Sequence, residues 1–331
     1  MAEKMYAVAG LGNALMDALI VMDSDDLLGT EGLNKGIMHP VDHGRWMDVY
    51  EKLDSTKVVL QTGGSCANTI AAMGLMGAKV SYCGHLGSDE FGNTYAQQFV
   101  EACGEHSLVL GEGHTGKCLS LVSQDAERTM LTDLGTSVML PSIEHFKSVI
   151  SDSQVLYSTG YLLLGDPMKS RLIEAADFAK SAGVTIALDV ADPFVVKAVT
   201  DDMKNFIAEY CDVVFLNEEE AKAITGSEQA TDAIEALKGM CDTIVVKLGK
   251  KGAVVYSKGE IAETGVKLVK PIDTTGAGDS FAAGFLYGFT HGYSLEQSVR
   301  LATHVAAETI IQVGAVVRTP NRLQEIVQEV G

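Results

Sequence analysis

Six short apolar runs constrain this chain more than any other feature. They are YAVAGL (6–11), KVSYCG (79–84), QVLYST (154–159), VTIALDV (184–190), DVVFLN (212–217) and TIVVKL (243–248). Each is too short for a core helix and is apolar at neighbouring positions rather than alternate ones. A strand that is apolar on both faces has to be covered on both faces. Longer stretches with helical periodicity lie between the runs, at 67–77, 90–103, 168–182 and 229–240. This alternation predicts a mainly parallel sheet with helices on either side. Apolar residues make up 47% of the 331 and charged residues 21%, enough apolar material to bury such a sheet.

Two regions break the rhythm. Residues 14–45 and 112–138 are more polar and more strictly alternating. KCLSLVSQDAERTMLTDL reads as two strands joined by a turn at Gln124–Glu127. The two regions are expected to pair as a small sheet projecting from the core, leaving a cleft for a ligand. GAVVYSKGEIAETGVK (252–267) reads as a further hairpin turning near Lys258–Gly259. Near the C-terminus, Phe281, Phe285 and Phe289 fall four apart on one helical face. Ser294 and Gln297 form a capping box, predicting a helix that runs to about Val313 with Gly314 just past its end.

The net charge is −19 and the pI about 4.7, so neither nucleic acid nor an anionic membrane is expected as a partner. Six cysteines, with no CxxC pair and no histidine at zinc-like spacing, suit reduced, mostly buried thiols in a cytoplasmic protein. The apolar run in MAEKMYAVAGLGN is too short for a signal peptide or a membrane span.

The chemistry concentrates in DTTGAGDSFAAGF (273–285), a glycine turn opening a helix. Free amides and the positive end of the dipole bind anions there. No GxxxxGK[ST] is present, so the donors would be amides rather than a P-loop lysine. Asp279 has two readings. It caps the helix, or it takes the proton of a hydroxyl attacking a bound phosphate.

DTTGAGDSFAAGF resembles the C-terminal motif of the ribokinase-like (PfkB) family of sugar and nucleoside kinases. GGSCANTIAAMGLMGAKVSYCGHLGSDEFG (63–92) resembles its N-terminal motif. The resemblance runs the length of the chain. It implies one catalytic domain, 1–331, with an α/β three-layer sandwich around a central mainly parallel sheet. A small β-sheet lid would be formed by about 14–45 and 112–138. It further implies Asp279 as catalytic base and Gly276, Ala277 and Gly278 as an anion hole. Asn217 and Glu220 of NEEE match a motif associated with Mg²⁺, Glu220 acting through water. KLGKKG (247–252) resembles the nucleotide loop, with Gly249 and Gly252 in place and Lys247 where threonine is usual. Asp273, Thr275 and Gly314 fall in loops that hold a monovalent cation in related kinases. Arg318 stands there in place of a small hydroxyl residue, which leaves potassium activation open.

For the acceptor, the resemblance points to Asn13 and Asp17 in GNALMD and to Gly63, Gly64 and Asn68 in GGSCAN. A carboxylate such as Asp17 can accept from two vicinal hydroxyls. GNALMD, AERTMLTDLG and STGYLLL look closer to adenosine kinases than to ribokinases. That likeness implies Arg128 as a lid arginine reaching the transferring phosphate and His304 as a neighbour of the ATP adenine. Leu15, Met38, Leu134, Thr136, Tyr161 and Leu162 are candidates for a purine slot. The expectation is an ATP- and Mg²⁺-dependent kinase acting on a nucleoside 5′-hydroxyl. A free-sugar kinase is the alternative, and monomer and homodimer both stay open. A dehydrogenase is disfavoured because Leu15 stands where GxGxxG needs its third glycine. A non-catalytic sensor is disfavoured by the intact GAGD.

Overall fold

The computed structural model describes residues 4–125, 127–319 and 321–331. Fourteen strands are present among them. They are β1 (Tyr6–Leu11), β2 (Leu15–Val21), β3 (Met38–Pro40), β4 (Val59–Gly63), β5 (Val80–Gly87), β6 (Ser107–Gly111) and β7 (Gly116–Val122). Then follow β8 (Arg128–Asp133), β9 (Ser153–Thr159), β10 (Thr185–Asp189), β11 (Val213–Asn217), β12 (Thr243–Lys247), β13 (Ala253–Ser257) and β14 (Glu260–Thr264). Nine build a large sheet in the order β14-β13-β12-β11-β10-β9-β1-β5-β6. Its pairings are parallel except at β12/β13 and β13/β14.

Side-chain alternation explains why both faces are covered. In β9, Val155 and Tyr157 enter one core with Phe215 and Phe285, while Leu156 enters the other with Leu188 and Leu216. The helices Ser65–Leu75, Ala277–Thr290 and Leu295–Thr309 cover the first face, and Met168–Ser181 helps cover the second. The three-layer expectation holds.

The second sheet runs β3-β8-β7-β2-β4. It has its own small core, in which the helix His43–Tyr50 buries Trp46 and Val49 against Ala18, Leu119, Leu121 and Leu131. Lys117 is buried there at 4.9 Å from the Trp46 ring, and its ammonium donates to Asp133 at 3.0 Å. The expected lid regions supply four of its strands. The fifth, β4, lies outside both regions, and β6 at the edge of the large sheet was equally unmarked; both are short and only partly apolar. Ala126, in the expected Gln124–Glu127 turn, lies outside the described residues.

The last long helix ends at Thr309, not near Val313. Continuing it would require the Gly314 N–H to bond the Ile310 carbonyl. That carbonyl instead accepts from the Ile272 and Asp273 amides, at 2.7 and 3.2 Å, and the Gly314 N–H donates to Asp273 Oδ2 at 2.9 Å. The helix is therefore cut short by the strand-like entry to the 273–280 loop. No helix among the described residues is long and apolar enough to cross a membrane.

Candidate active site

The carboxyl ends of parallel strands are where open α/β sheets bind ligands. Here Asp189, Asn217 and Lys247 are the last residues of three adjacent strands, β10, β11 and β12. They line a cavity of about 600 Å³ with Ser65, Glu220, Gly249, Gly252 and the segment Gly276–Asp279. Val266, Leu268, Thr303, Ala306, Ala307 and Ile310 supply a largely apolar part of its wall.

Gly276 makes the turn into the helix. Its φ is +72°, and a Cβ there would meet Ala315 at 2.5 to 2.7 Å, so only glycine fits. Ala277, Gly278 and Asp279 open the helix, and their N–H groups have no carbonyl one turn earlier within it. Ala277 spends its N–H on Thr274 O at 3.2 Å, which leaves the Gly278 and Asp279 amides as the stronger anion donors.

Asp279 is fixed from the opposite end of the chain. Its Oδ1 accepts from Ser65 Oγ at 2.6 Å, and its Oδ2 accepts from Asn68 Nδ2 at 2.8 Å. Burial raises its pKa to about 6, against the pull of those two hydrogen bonds. The two quoted motifs thus meet at one carboxylate. Ser65, within GGSCAN, was passed over in the sequence although it makes the shorter of the two bonds. Asn68 Oδ1 is buried and has no hydrogen-bond partner among the described residues.

Asp17 lies on β2, and a Cβ on Gly63 would overlap its carboxylate, which explains the first glycine of the pair. Burial raises Asp17 to about 7; Arg128 pulls it down and Asp279 pushes it up. Asp17 and Asp279 therefore share one electrostatic environment. Gly64 precedes the Ser65–Leu75 helix, which starts two residues earlier than its periodicity suggested. Asn13 Nδ2 donates to Ser137 O at 3.0 Å, tying the start of the lid to its base.

Asn217 and Glu220 form a reciprocal capping box. Asn217 Oδ1 accepts from Glu220 N at 2.9 Å, and Glu220 accepts from Asn217 N at 2.7 Å and Nδ2 at 2.6 Å. Burial raises Glu220, Lys247 lowers it, and Asp189 raises it again. Lys247 Nζ donates to Asp189 Oδ2 at 2.7 Å. Three carboxylates, Asp189, Glu220 and Asp279, thus surround one ammonium. Negative charge remains in excess after Lys247 is counted, but Asn217 Oδ1 and both Glu220 oxygens are spent on the capping box, so these residues would reach a divalent ion such as Mg²⁺ through waters.

Arg128 extends from the small sheet to Thr275 Oγ1 and to Asp273 Oδ1, the latter at 3.4 Å, and its charge also acts on Asp17. Asp273 also accepts from Thr275 N at 3.0 Å, Thr275 Oγ1 at 2.6 Å and Gly314 N. Both carboxylate oxygens are thus engaged, and the Arg128 guanidinium lies against Oδ1. Arg318 donates to Gln61 of β4, and the guanidinium lies beside Gly314, 3.4 Å from where a Cβ there would stand. His304 is not among the residues that line the cavity. Its Nδ1 bonds Arg300 O at 2.8 Å, while its neighbour Thr303 lines the wall. Asp189 was not singled out in the sequence; an acid as the last buried residue of an apolar strand was the available signal.

Of the slot candidates, Thr136 and Leu162 are buried in packing, while Met38, Leu134 and Tyr161 are exposed. The Tyr161 hydroxyl donates to Asp192 Oδ2 at 3.5 Å.

A family model described as pfkB family carbohydrate kinase matches residues 45–322. A solved structure described as adenosine kinase from Sinorhizobium meliloti superposes with a TM-score of 0.85 and 31% identity, covering 98% of this chain and 99% of that one. A ribokinase of Haemophilus influenzae is 28% identical over 290 residues, 83% of this chain and 90% of the relative. An adenosine kinase of Saccharomyces cerevisiae is 28% identical over 283 residues, 80% of this chain and 82% of the relative.

Proposed function

Because the chain belongs to the pfkB family of carbohydrate kinases, a family of phosphotransferases with an alcohol group as acceptor, we propose that it transfers the γ-phosphate of ATP to the 5′-hydroxyl of a nucleoside such as adenosine. The observation that carries the phosphoryl-transfer step is the Asp279 carboxylate, held by Ser65 and Asn68 at the mouth of the amide cradle. The adenine of ATP lies against Leu268, Ala306, Ala307 and Ile310, and its phosphates run past Gly249, Gly252, Asn217 and Lys247 to the Gly278 and Asp279 amides. Asn217, Glu220 and Asp279 would hold Mg²⁺ through waters; bound there, it offsets negative charge on the phosphate oxygens.

The acceptor lies between lid and core. Asp17 accepts from the ribose hydroxyls and Asn68 Oδ1 takes a further hydroxyl. Asp279 removes the 5′-hydroxyl proton as the new O–P bond forms and the bond between the γ-phosphorus and the β–γ bridging oxygen breaks. ADP leaves, and the proton on Asp279 passes to solvent. The cradle amides are aimed at charge on the transferred group. The exposed Leu134 and the Tyr161 ring offer an apolar surface for a base, which a free sugar would leave unused. The 31% identity to the adenosine kinase structure over nearly the whole chain supports the same choice. An ADP-release assay over a panel of nucleosides and free sugars tests it. Turnover with adenosine or a close analogue is expected; turnover with ribose or fructose and none with nucleosides would overturn the acceptor assignment.

A further inference from the structure

One carboxylate in the cavity has no part in the scheme above. Asp189 closes β10 and is only 2% exposed. Both its oxygens are engaged: Oδ1 accepts from Ala191 N at 3.0 Å and Oδ2 from Lys247 Nζ at 2.7 Å. The turn that brings the Ala191 amide round is strained, since Ala191 holds a φ of +78°. A non-glycine residue persists in that region only where its surroundings enforce it, commonly at functional sites.

Lys247 starts two strands away, at the end of β12, with β11 between. Its side chain therefore lies across the strand ends to reach Asp189. That path carries the ammonium past the cradle, 3.4 Å from where a Cβ on Gly278 would stand. Burial works against the charge on Lys247, but Asp189, Glu220 and Asp279 outweigh it and raise its pKa, so it stays an ammonium.

We propose that Asp189 is a positioning residue, holding the Lys247 ammonium over the Gly278–Asp279 cradle so that the site recognises the terminal phosphate of a nucleoside triphosphate in preference to a diphosphate. This rests on the kinase reading of the site. Without Asp189, Glu220 exerts the larger of the two remaining attractions on the ammonium and would draw it toward the capping box at Asn217 and off the cradle. The charge on Lys247 would survive, but its direction would not.

Calorimetric titration of AMP-PNP and of ADP, each with Mg²⁺, tests this on the wild type, K247M, D189N and the double variant. Loss of one charge-assisted bond should weaken AMP-PNP by about tenfold in K247M and leave ADP within about threefold. D189N should reproduce that selective loss, and the double variant should be no worse than K247M. An unchanged ratio of the two affinities in D189N, or an equal loss of both nucleotides, would overturn the proposal. If D189N fails to fold because Lys247 is left buried and unpaired, the double variant, which carries neither charge, decides against K247M. Equal AMP-PNP affinity supports the proposal; a further loss overturns it. A wild type that binds neither nucleotide would instead sink the kinase reading itself.

Discussion

Asn68 donates its side-chain N–H to Asp279 across 211 positions of sequence, at 2.8 Å. The bond joins the helix Ser65–Leu75 to the helix Ala277–Thr290 at their N-termini, and these two helices pack on the same face of the large sheet. Two distant motifs are thereby made into one site. Asn68 orients the carboxylate with its amide nitrogen, while its oxygen is buried without a partner among the described residues.

Asp279→Asn is expected to reduce kcat by at least about 10²-fold, since a general base is lost. Stability should not fall with it. The folded pKa of about 6 lies above the ordinary 3.8, so folding favours the protonated group. Its stabilising contribution is complete below about pH 4 and is lost as pH rises through about 6. At pH 7.5 the ionised Asp279 is a burden on the fold. An amide there can accept from Ser65 and, if the Asn68 amide turns over, donate to its unpartnered Oδ1. Thermal unfolding of this variant at pH 7.5 should give a Tm equal to or above wild type, and a marked fall would contradict the electrostatic account.

The pH dependence of kcat/KM should show an acidic limb near pH 6, because Asp279 must be ionised to act. Ser65 stabilises the ionised form through the 2.6 Å bond. Ser65→Ala should therefore move the limb to higher pH. A limb that stays in place, or moves down, would show that the titrating group is not Asp279.

Potassium should not be required. Thr275 and Gly314 already donate to Asp273, and Arg128 lies against it, so the negative charge of that loop is neutralised by the protein. Initial rates in KCl and in choline chloride at equal ionic strength should match. A rate that rises several-fold with KCl would mean that a cation displaces the guanidinium.

Much of this was legible in the sequence. The runs at 6–11, 154–159 and 184–190 became strands because their apolar residues feed two cores at once, a signal that needs no partner to read. Gly276 and Asp279 were legible because a positive-φ turn at a helix start tolerates few residues. What stayed hidden depends on the tertiary fold. β4 is half-polar and becomes a strand only because β2 offers it an edge. The Leu295–Thr309 helix is cut short by hydrogen bonds from residues 272 and 273, which no local pattern announces. Arg128 opens β8 of the small sheet, but its partners are Thr275 and the carboxylate of Asp273, more than a hundred residues away. Lys247 was legible as part of a nucleotide loop, but its pairing with Asp189 appears only once the sheet order sets the two strand ends two strands apart.

The account turns on which molecule receives the phosphate and which residue takes its proton. The most direct measurement is mass-spectrometric identification of the product formed from adenosine, ATP and Mg²⁺ by the wild type and by Asp279→Asn. The account predicts adenosine 5′-monophosphate with stoichiometric ADP from the wild type and only a trace from the variant. No phosphorylated nucleoside from the wild type, with sugar phosphate formed from ribose or fructose instead, would contradict it, as would near-normal product from Asp279→Asn.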